Sequence, residues 1–171
     1  TPTRSRSRSP ARSPARSRSK STKTCFATVG TTEFAALVDA LLSADVLAAL
    51  AAQGHGRLLI QLGKGPEPVV PKNAPLAIEW YRFKPSLEAD MREATLLISH
   101  AGAGSILEGM RLGKRMLVVV NDKLMHNHQQ ELAQELHSRQ HLISTTPCAL
   151  LPTLREYGKR PPALVPLPPA D

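Results

Sequence analysis

The chain has 171 residues, a formal net charge of +8, and a composition that is 42% apolar but only 4% aromatic. This length suffices for one domain whose core is built from aliphatic side chains. Two cysteines are too few for a disulfide framework and favour reducing conditions, and no apolar run approaches the roughly 20 residues that cross a bilayer.

Residues 1–23 form a low-complexity segment in which arginine and serine alternate. It holds eight of the 22 basic residues and no acid, so the 14 basic residues that remain balance all 14 acids. This composition cannot bury apolar area, and we expect a disordered tail. The segment resembles the Arg/Ser domains of splicing factors in composition, and a transit peptide is another alternative. Because the rest of the chain is formally neutral, we expect no direct nucleic-acid partner.

From residue 24 onward, short apolar runs alternate with runs of helical periodicity. The pattern predicts strands over 24–29, 57–62, 77–81, 96–99, 116–120 and 141–144, and helices over 33–52, 86–94, 105–112, 127–138 and 147–157. Strands that alternate with helices indicate an α/β fold, with a Rossmann-like parallel sheet and helices on both faces. The proline-rich residues 158–171 are predicted to be an extended tail.

Two glycine loops follow predicted strands at the sheet edge where such folds bind ligands. The first contains Gly30, Thr31 and Thr32, and the second contains Gly102, Ala103, Gly104 and Ser105. Backbone N–H groups and hydroxyls at the start of a helix suit a diphosphate. For the second loop the alternative is a tight turn before a helix that starts near Ser105, with Ser105 and Glu108 as a capping box. Glu108 has a second possible role, as the acceptor of both ribose hydroxyls of a nucleotide.

A third loop leads into a polar segment with Asn127, His128, Gln129 and Gln130. These side chains suit phosphates and sugar hydroxyls, and a plain polar helix start is the alternative. His126 and His128 have poor spacing for metal ligands, so we predict no metal site. The sequence contains no catalytic triad, paired carboxylates or Gly-Lys-Ser/Thr phosphate loop, so hydrolysis by these routes is not indicated.

Three motifs, taken in chain order, resemble those of a known family. They are FATVGTTEF at 26–34, ISHAGAGS at 98–105 and NDKLMHNHQ at 121–129, and RFKPSL at 82–87 also fits. They resemble the catalytic subunit of the eukaryotic UDP-N-acetylglucosamine transferase of dolichol-linked oligosaccharide synthesis, in glycosyltransferase family 28. The resemblance covers about residues 24–154. It implies the donor-binding half of a two-domain GT-B glycosyltransferase, and we divide the chain into an Arg/Ser-rich tail (1–23), a UDP-sugar-binding domain (24–157) and a Pro-rich tail (158–171).

The resemblance also implies a reaction. An inverting glycosyltransferase would move N-acetylglucosamine from UDP-N-acetylglucosamine to N-acetylglucosaminyl-diphosphodolichol, in the second step of lipid-linked oligosaccharide assembly for N-glycosylation. UDP-N-acetylglucosamine is the donor substrate, and no cofactor is expected. A membrane-anchored partner subunit would bind the lipid-linked acceptor and recruit this cytosolic chain to the cytosolic face of the endoplasmic reticulum membrane. The Arg/Ser segment and the proline-rich end depart from the family pattern, so the details of docking stay open.

Site roles are implied by matching motif positions. Gly30, Thr31 and Thr32 would face the diphosphate, Gly102, Ala103, Gly104 and Ser105 the diphosphate and sugar, Glu108 the ribose, Phe83 the uracil, and Asn127, His128, Gln129 and Gln130 the sugar and phosphates. His100 is the local candidate for the general base, and the partner subunit is the alternative source of that base. Two other functions stay open: a nucleotide-sugar-binding regulatory module without catalysis, and an RNA-processing factor that acts through its Arg/Ser tail.

Overall fold

Six strands and six helices are formed within residues 22–123 and 128–169, which are the residues that the computed structural model describes. The strands are β1 Lys23–Thr28, β2 His55–Gln61, β3 Ala77–Tyr81, β4 Leu96–His100, β5 Met116–Val119 and β6 Ile143–Thr145. The helices are α1 Ala35–Leu41, α2 Ala44–Ala52, α3 Glu88–Glu93, α4 Ala103–Arg111, α5 His128–Ser138 and α6 Leu150–Lys159. The strands pair in parallel in the order β3-β2-β1-β4-β5-β6.

Both faces of this sheet are covered by helices. Side chains alternate between the faces along each strand, so that in β1 Phe26 joins one buried apolar cluster while Cys25 and Ala27 join the other. The cluster of Phe26 is completed by α3, α4 and α5, and the other by α1, α2 and α6. A strand buried on both faces is continuously apolar, as at 116–119. The predicted Rossmann-like parallel sheet is confirmed.

The prediction of one helix over residues 33–52 was wrong, because the chain forms α1 and α2 with a bend of 57° between them. Ser43 starts α2. Its hydroxyl accepts a hydrogen bond from the Val46 N–H at 3.4 Å and donates to the Ala40 carbonyl at 2.7 Å. No single helix in the described ranges has the length and apolar character to span a membrane, although the bent pair meets both criteria jointly.

Other boundaries differ by a few residues. β3 has the predicted bounds, whereas α4 begins at Ala103 instead of 105, and β6 spans Ile143–Thr145 instead of 141–144. α6 begins at Leu150, because the residues from Pro147 first form a turn. It continues to Lys159, so the predicted extended tail begins later than residue 158.

Residues 161–169 follow α6 without regular secondary structure, and Val165 lies against the turn before β6. Val165 donates its N–H to the Gln140 carbonyl, and the carbonyl of Val165 accepts from Nδ1 of His141, both at 2.8 Å. These two bonds hold the proline-rich segment on the domain surface.

The order of the strands creates a single switch point. From β1 the chain moves outward through β2 to β3, and it then returns to place β4 on the other side of β1. Connections from β1 and β4 therefore leave the sheet toward opposite faces, which opens a crevice at their carboxyl ends. Both glycine loops start at this crevice.

Candidate functional site

The imidazole of His100 lies between the two glycine loops. A methyl group added to Gly30 would be 2.5 Å from Cε1 of His100, and one added to Gly102 would be 2.3 Å from Nε2. Any side chain at either position would overlap the ring. The two loops, 72 residues apart in sequence, are thus brought together against the Cε1–Nε2 edge of one residue at the end of β4.

The first loop turns sharply at Gly30, whose φ of +69° favours glycine. The N–H of Gly30 donates to the Thr28 hydroxyl at 3.1 Å and to Oε1 of Gln61 at 2.9 Å. Thr31 and Thr32 are exposed, and the hydroxyl of Thr32 donates to the Val29 carbonyl at 3.1 Å. The prediction that this loop opens a helix was wrong, because α1 begins only at Ala35. Its groups reach the crevice as a turn.

The second loop ends in the uncapped start of α4. Gly102 occupies the N-cap position without a side-chain hydrogen bond, and the first intrahelical bond runs from the Ile106 N–H to the Gly102 carbonyl at 3.1 Å. The N–H groups of Ala103, Gly104 and Ser105 therefore have no acceptor in the described part of the chain. Unpaired N–H groups at the positive end of a helix dipole attract an anion.

The capping box with Ser105 and Glu108 was wrong, because the helix starts two residues earlier and no side chain caps it. Glu108 lies in the second turn of α4 and is half-buried. Within residues 22–123 and 128–169 its carboxylate forms no ion pair and no side-chain hydrogen bond. The geometry thus removes the capping role, while the role of Glu108 on a ribose stays a prediction.

Phe83 follows β3 at the same edge of the sheet, two strands away from β1, and its side chain is 52% exposed. Its neighbours are held in place: the Tyr81 hydroxyl donates to Oδ2 of Asp90 at 2.6 Å, and Nζ of Lys84 contacts the same oxygen at 2.9 Å. Burial raises the pKa of the Asp90 carboxyl, but these two partners outweigh burial and the net pKa is lowered. The loop that carries Phe83 is therefore held in place by its neighbours, while the Phe83 ring itself is exposed.

The third predicted group begins α5. The side chains of His128 and Gln129 are exposed and that of Gln130 is half-buried, while Asn127 lies outside the described residues. Nδ1 of His128 is 3.8 Å from a carboxylate oxygen of Glu131. Since β5 neighbours β4, α5 starts near the edge that carries the second loop. Over the two described ranges, no group of three or more His, Cys, Asp or Glu is arranged to hold a metal ion.

The surroundings of His100 lower its pKa and so favour the neutral imidazole. Burial lowers the pKa of its imidazole, and the nearby backbone of Thr28 has a smaller effect in the opposite direction. No hydrogen bond of ordinary geometry joins Thr28 to Nδ1 of His100. Its Nδ1 is buried and has no hydrogen-bond partner among the described residues. A neutral imidazole is able to accept a proton or to donate a hydrogen bond, so the ring has the chemistry that the predicted role of general base requires.

We expect Gly102→Ala to lower the free energy of unfolding by about 1–2 kcal/mol, because the new methyl group overlaps the edge of the His100 ring, which also lies against Gly30. In a His100→Ala background the same substitution should cost less than about 0.5 kcal/mol. Denaturant unfolding of the four proteins measures this coupling. Gly104→Ala is the control, since nothing lies within 4 Å of its added methyl group. If Gly102→Ala lowers the free energy of unfolding equally in both backgrounds, Gly102 does not pack against the His100 ring.

Two residues of the site were missed from the sequence. Gln61 ends β2 and is only 2% exposed, and Arg82 follows β3, where Nη1 donates to the carbonyls of Gly63 at 3.2 Å and Gly65 at 2.6 Å. A glutamine inside the apolar run from Leu58 to Leu62 was the available signal, because a polar group in a buried strand needs partners.

A doubly wound sheet with glycine loops at its switch point defines a nucleotide-binding domain of the Rossmann class. The chain belongs more specifically to the glycosyltransferase family 28 C-terminal domain family, whose model matches residues 24–164. It is 46% identical over 132 residues to the UDP-N-acetylglucosamine transferase subunit ALG13 of Mus musculus and, to the same extent, to that of Homo sapiens. These matches cover 75% of this chain but only 11% of either relative. The ALG13 subunit of Yarrowia lipolytica is 39% identical over 119 residues, which is 68% of this chain and 61% of that protein.

Solved structures agree with this assignment. The solution structure of ALG13 superposes with a TM-score of 0.60 at 27% identity and covers 80% of this chain and 85% of its own. MurG from Acinetobacter baumannii superposes with a TM-score of 0.62 at 18% identity over 83% of this chain and 42% of its own, which supports the fold alone. The predicted family and the predicted Rossmann-like fold are confirmed.

Proposed function

We propose that this domain is the donor-binding half of an inverting glycosyltransferase that moves N-acetylglucosamine from UDP-N-acetylglucosamine to N-acetylglucosaminyl-diphosphodolichol. The observation that carries the proposal is the start of α4 at the switch point, where three N–H groups beside a glycine turn have no acceptor among the described residues. An anion of nucleoside-diphosphate type suits this crevice. The names of the relatives, UDP-N-acetylglucosamine transferase subunits, indicate which sugar the donor carries.

In the proposed reaction the acceptor hydroxyl oxygen attacks the anomeric carbon as the bond from that carbon to the UDP oxygen breaks, with inversion. The hydroxyl proton passes to a general base, for which His100 is the candidate on this chain. The leaving UDP gains negative charge, and the N–H groups at positions 103–105 stabilise it. No metal is required in this scheme. Glu108 accepts the ribose hydroxyls, and Phe83 lies near the uracil.

We propose that the acceptor-binding half belongs to a membrane-anchored partner subunit at the cytosolic face of the endoplasmic reticulum membrane. One observation supports this: the relatives are named as transferase subunits.

The full chain, coexpressed with a membrane-anchored partner, tests the proposal. We expect transfer from UDP-N-acetylglucosamine to a lipid-linked N-acetylglucosaminyl diphosphate, with little or no transfer by the chain alone. Calorimetric titration should show binding of UDP-N-acetylglucosamine and none of the corresponding ADP- and GDP-sugars. Binding without turnover in the presence of the partner would instead establish a regulatory module. Loss of RNA association on removal of residues 1–23, in a chain that binds no UDP-sugar, would establish the RNA-processing alternative.

A further inference from the structure

The buried side-chain amide of Gln61 uses its full hydrogen-bonding capacity. Its Oε1 accepts from the hydroxyl of Thr28 and from the N–H of Gly30 at 2.9 Å. Its Nε2 donates to the carbonyl of Gly30 at 2.8 Å and to the carbonyl of Arg82 at 2.7 Å. A primary amide offers two acceptor sites and two donors, so no position is left over.

This set of partners selects glutamine in a single orientation. If the amide were flipped, its oxygen would face the carbonyls of Gly30 and Arg82, and its NH₂ would face the Gly30 N–H. Glutamate at position 61 would place a carboxylate oxygen against the same two carbonyls, and leucine would leave buried polar groups unpaired. The side chain is 2% exposed, so water cannot substitute for the lost partners.

The four bonds join two segments that carry different predicted parts of the donor. Gly30 turns the first glycine loop, to which we assign the diphosphate, and Arg82 immediately precedes Phe83, to which we assign the nucleobase. Backbone bonds strengthen the link, because the Gly63 N–H donates to the Arg82 carbonyl at 3.2 Å and the Lys64 N–H donates to the Thr32 carbonyl at 3.1 Å. Both loops are thereby fastened to the carboxyl end of β2.

We infer that Gln61 is a positioning residue that sets the spacing between the diphosphate loop and the nucleobase loop, so that one UDP molecule engages both at once. The inference rests on the proposed function. A ligand that spans two sites gains affinity when their separation is held at the correct value before binding. Loss of Gln61 should therefore weaken UDP far more than it weakens either half of UDP bound separately.

The test uses the full chain with Gln61→Leu and Gln61→Glu, titrated by NMR with UDP, with uridine and with inorganic pyrophosphate. We expect the Kd for UDP to rise at least about tenfold, while the values for uridine and pyrophosphate change less than about threefold. Thr28→Val removes one of the four bonds and should have a smaller effect in the same direction. If the Gln61 variants fail to fold, the same three titrations of Thr28→Val test the inference.

The matched control is His55→Leu at the opposite end of β2. His55 is also a buried polar residue, and its Nδ1 pairs with the Leu50 carbonyl at 3.1 Å. This variant should lower the thermal stability and leave the affinity for UDP unchanged. If the Gln61 and Thr28 variants bind UDP as the unmodified chain does, or if all three ligands weaken equally, the positioning role is overturned and the proposed function survives. If the unmodified chain binds no UDP, the proposed function itself fails.

Discussion

Replacement of Glu108 by alanine is expected to raise the Kd for UDP by at least about 100-fold and to leave the fold intact. A carboxylate that accepts hydrogen bonds from both ribose hydroxyls contributes about 1.5–3 kcal/mol per bond, and each 1.4 kcal/mol changes affinity tenfold. Because Glu108 has no ion-pair partner among the described residues, its loss should change the free energy of unfolding by less than about 0.5 kcal/mol. Calorimetry and denaturant unfolding measure the two quantities.

The choice of ligand makes the role of Glu108 specific. The unmodified chain should lose about tenfold in affinity when 2′-deoxy-UDP replaces UDP, whereas Glu108→Ala should bind both equally, since its ribose contact is already absent. Glu156→Ala on the exposed surface of α6 is the control and should not affect either ligand. If Glu108→Ala binds UDP as tightly as the unmodified chain, the assignment of the ribose site is wrong.

Gly63→Ala should cost about 3 kcal/mol of unfolding free energy, because two separate penalties meet at this residue. Its φ of +65° disfavours any side chain, and the added methyl group would lie 2.2 Å from the Thr32 carbonyl oxygen and 3.0 Å from that of Gly30. Both contacts are with backbone, so a change of side-chain rotamer cannot relieve them. The first glycine loop would have to move, and affinity for UDP should fall as well.

Gly113→Ala separates these penalties. Gly113 has a φ of +66°, yet no atom lies within 4 Å of an added methyl group, so this variant should lose only the conformational part, about 1 kcal/mol. Chemical denaturation with a constant m-value provides the comparison. Equal losses in the two variants would show that the contact with Thr32 does not constrain the loop.

The secondary structure was largely predictable because it depends on near neighbours. The end of α2 is an example: the helix stops at Ala52, the predicted last residue, and Gly54 follows at a φ of +90°. The break at Ser43 was missed because apolar periodicity continues across it. A serine inside a helical pattern becomes an N-cap only when its hydroxyl finds the Val46 N–H, and the pattern does not record that bond.

By itself, the sequence determined a parallel α/β domain with two glycine loops after buried strands, and its motifs indicated the family. Only the tertiary structure decided that Gly30 and Gly102 both lie against the ring of His100, and that α4 starts at the switch point without a side-chain cap. The tertiary structure also decided the contacts of Gln61, since its partners Gly30 and Arg82 lie 31 and 21 residues away. Contacts over such separations depend on strand order and register, which arise from packing of the whole sheet and not from the spacing of residues along the chain.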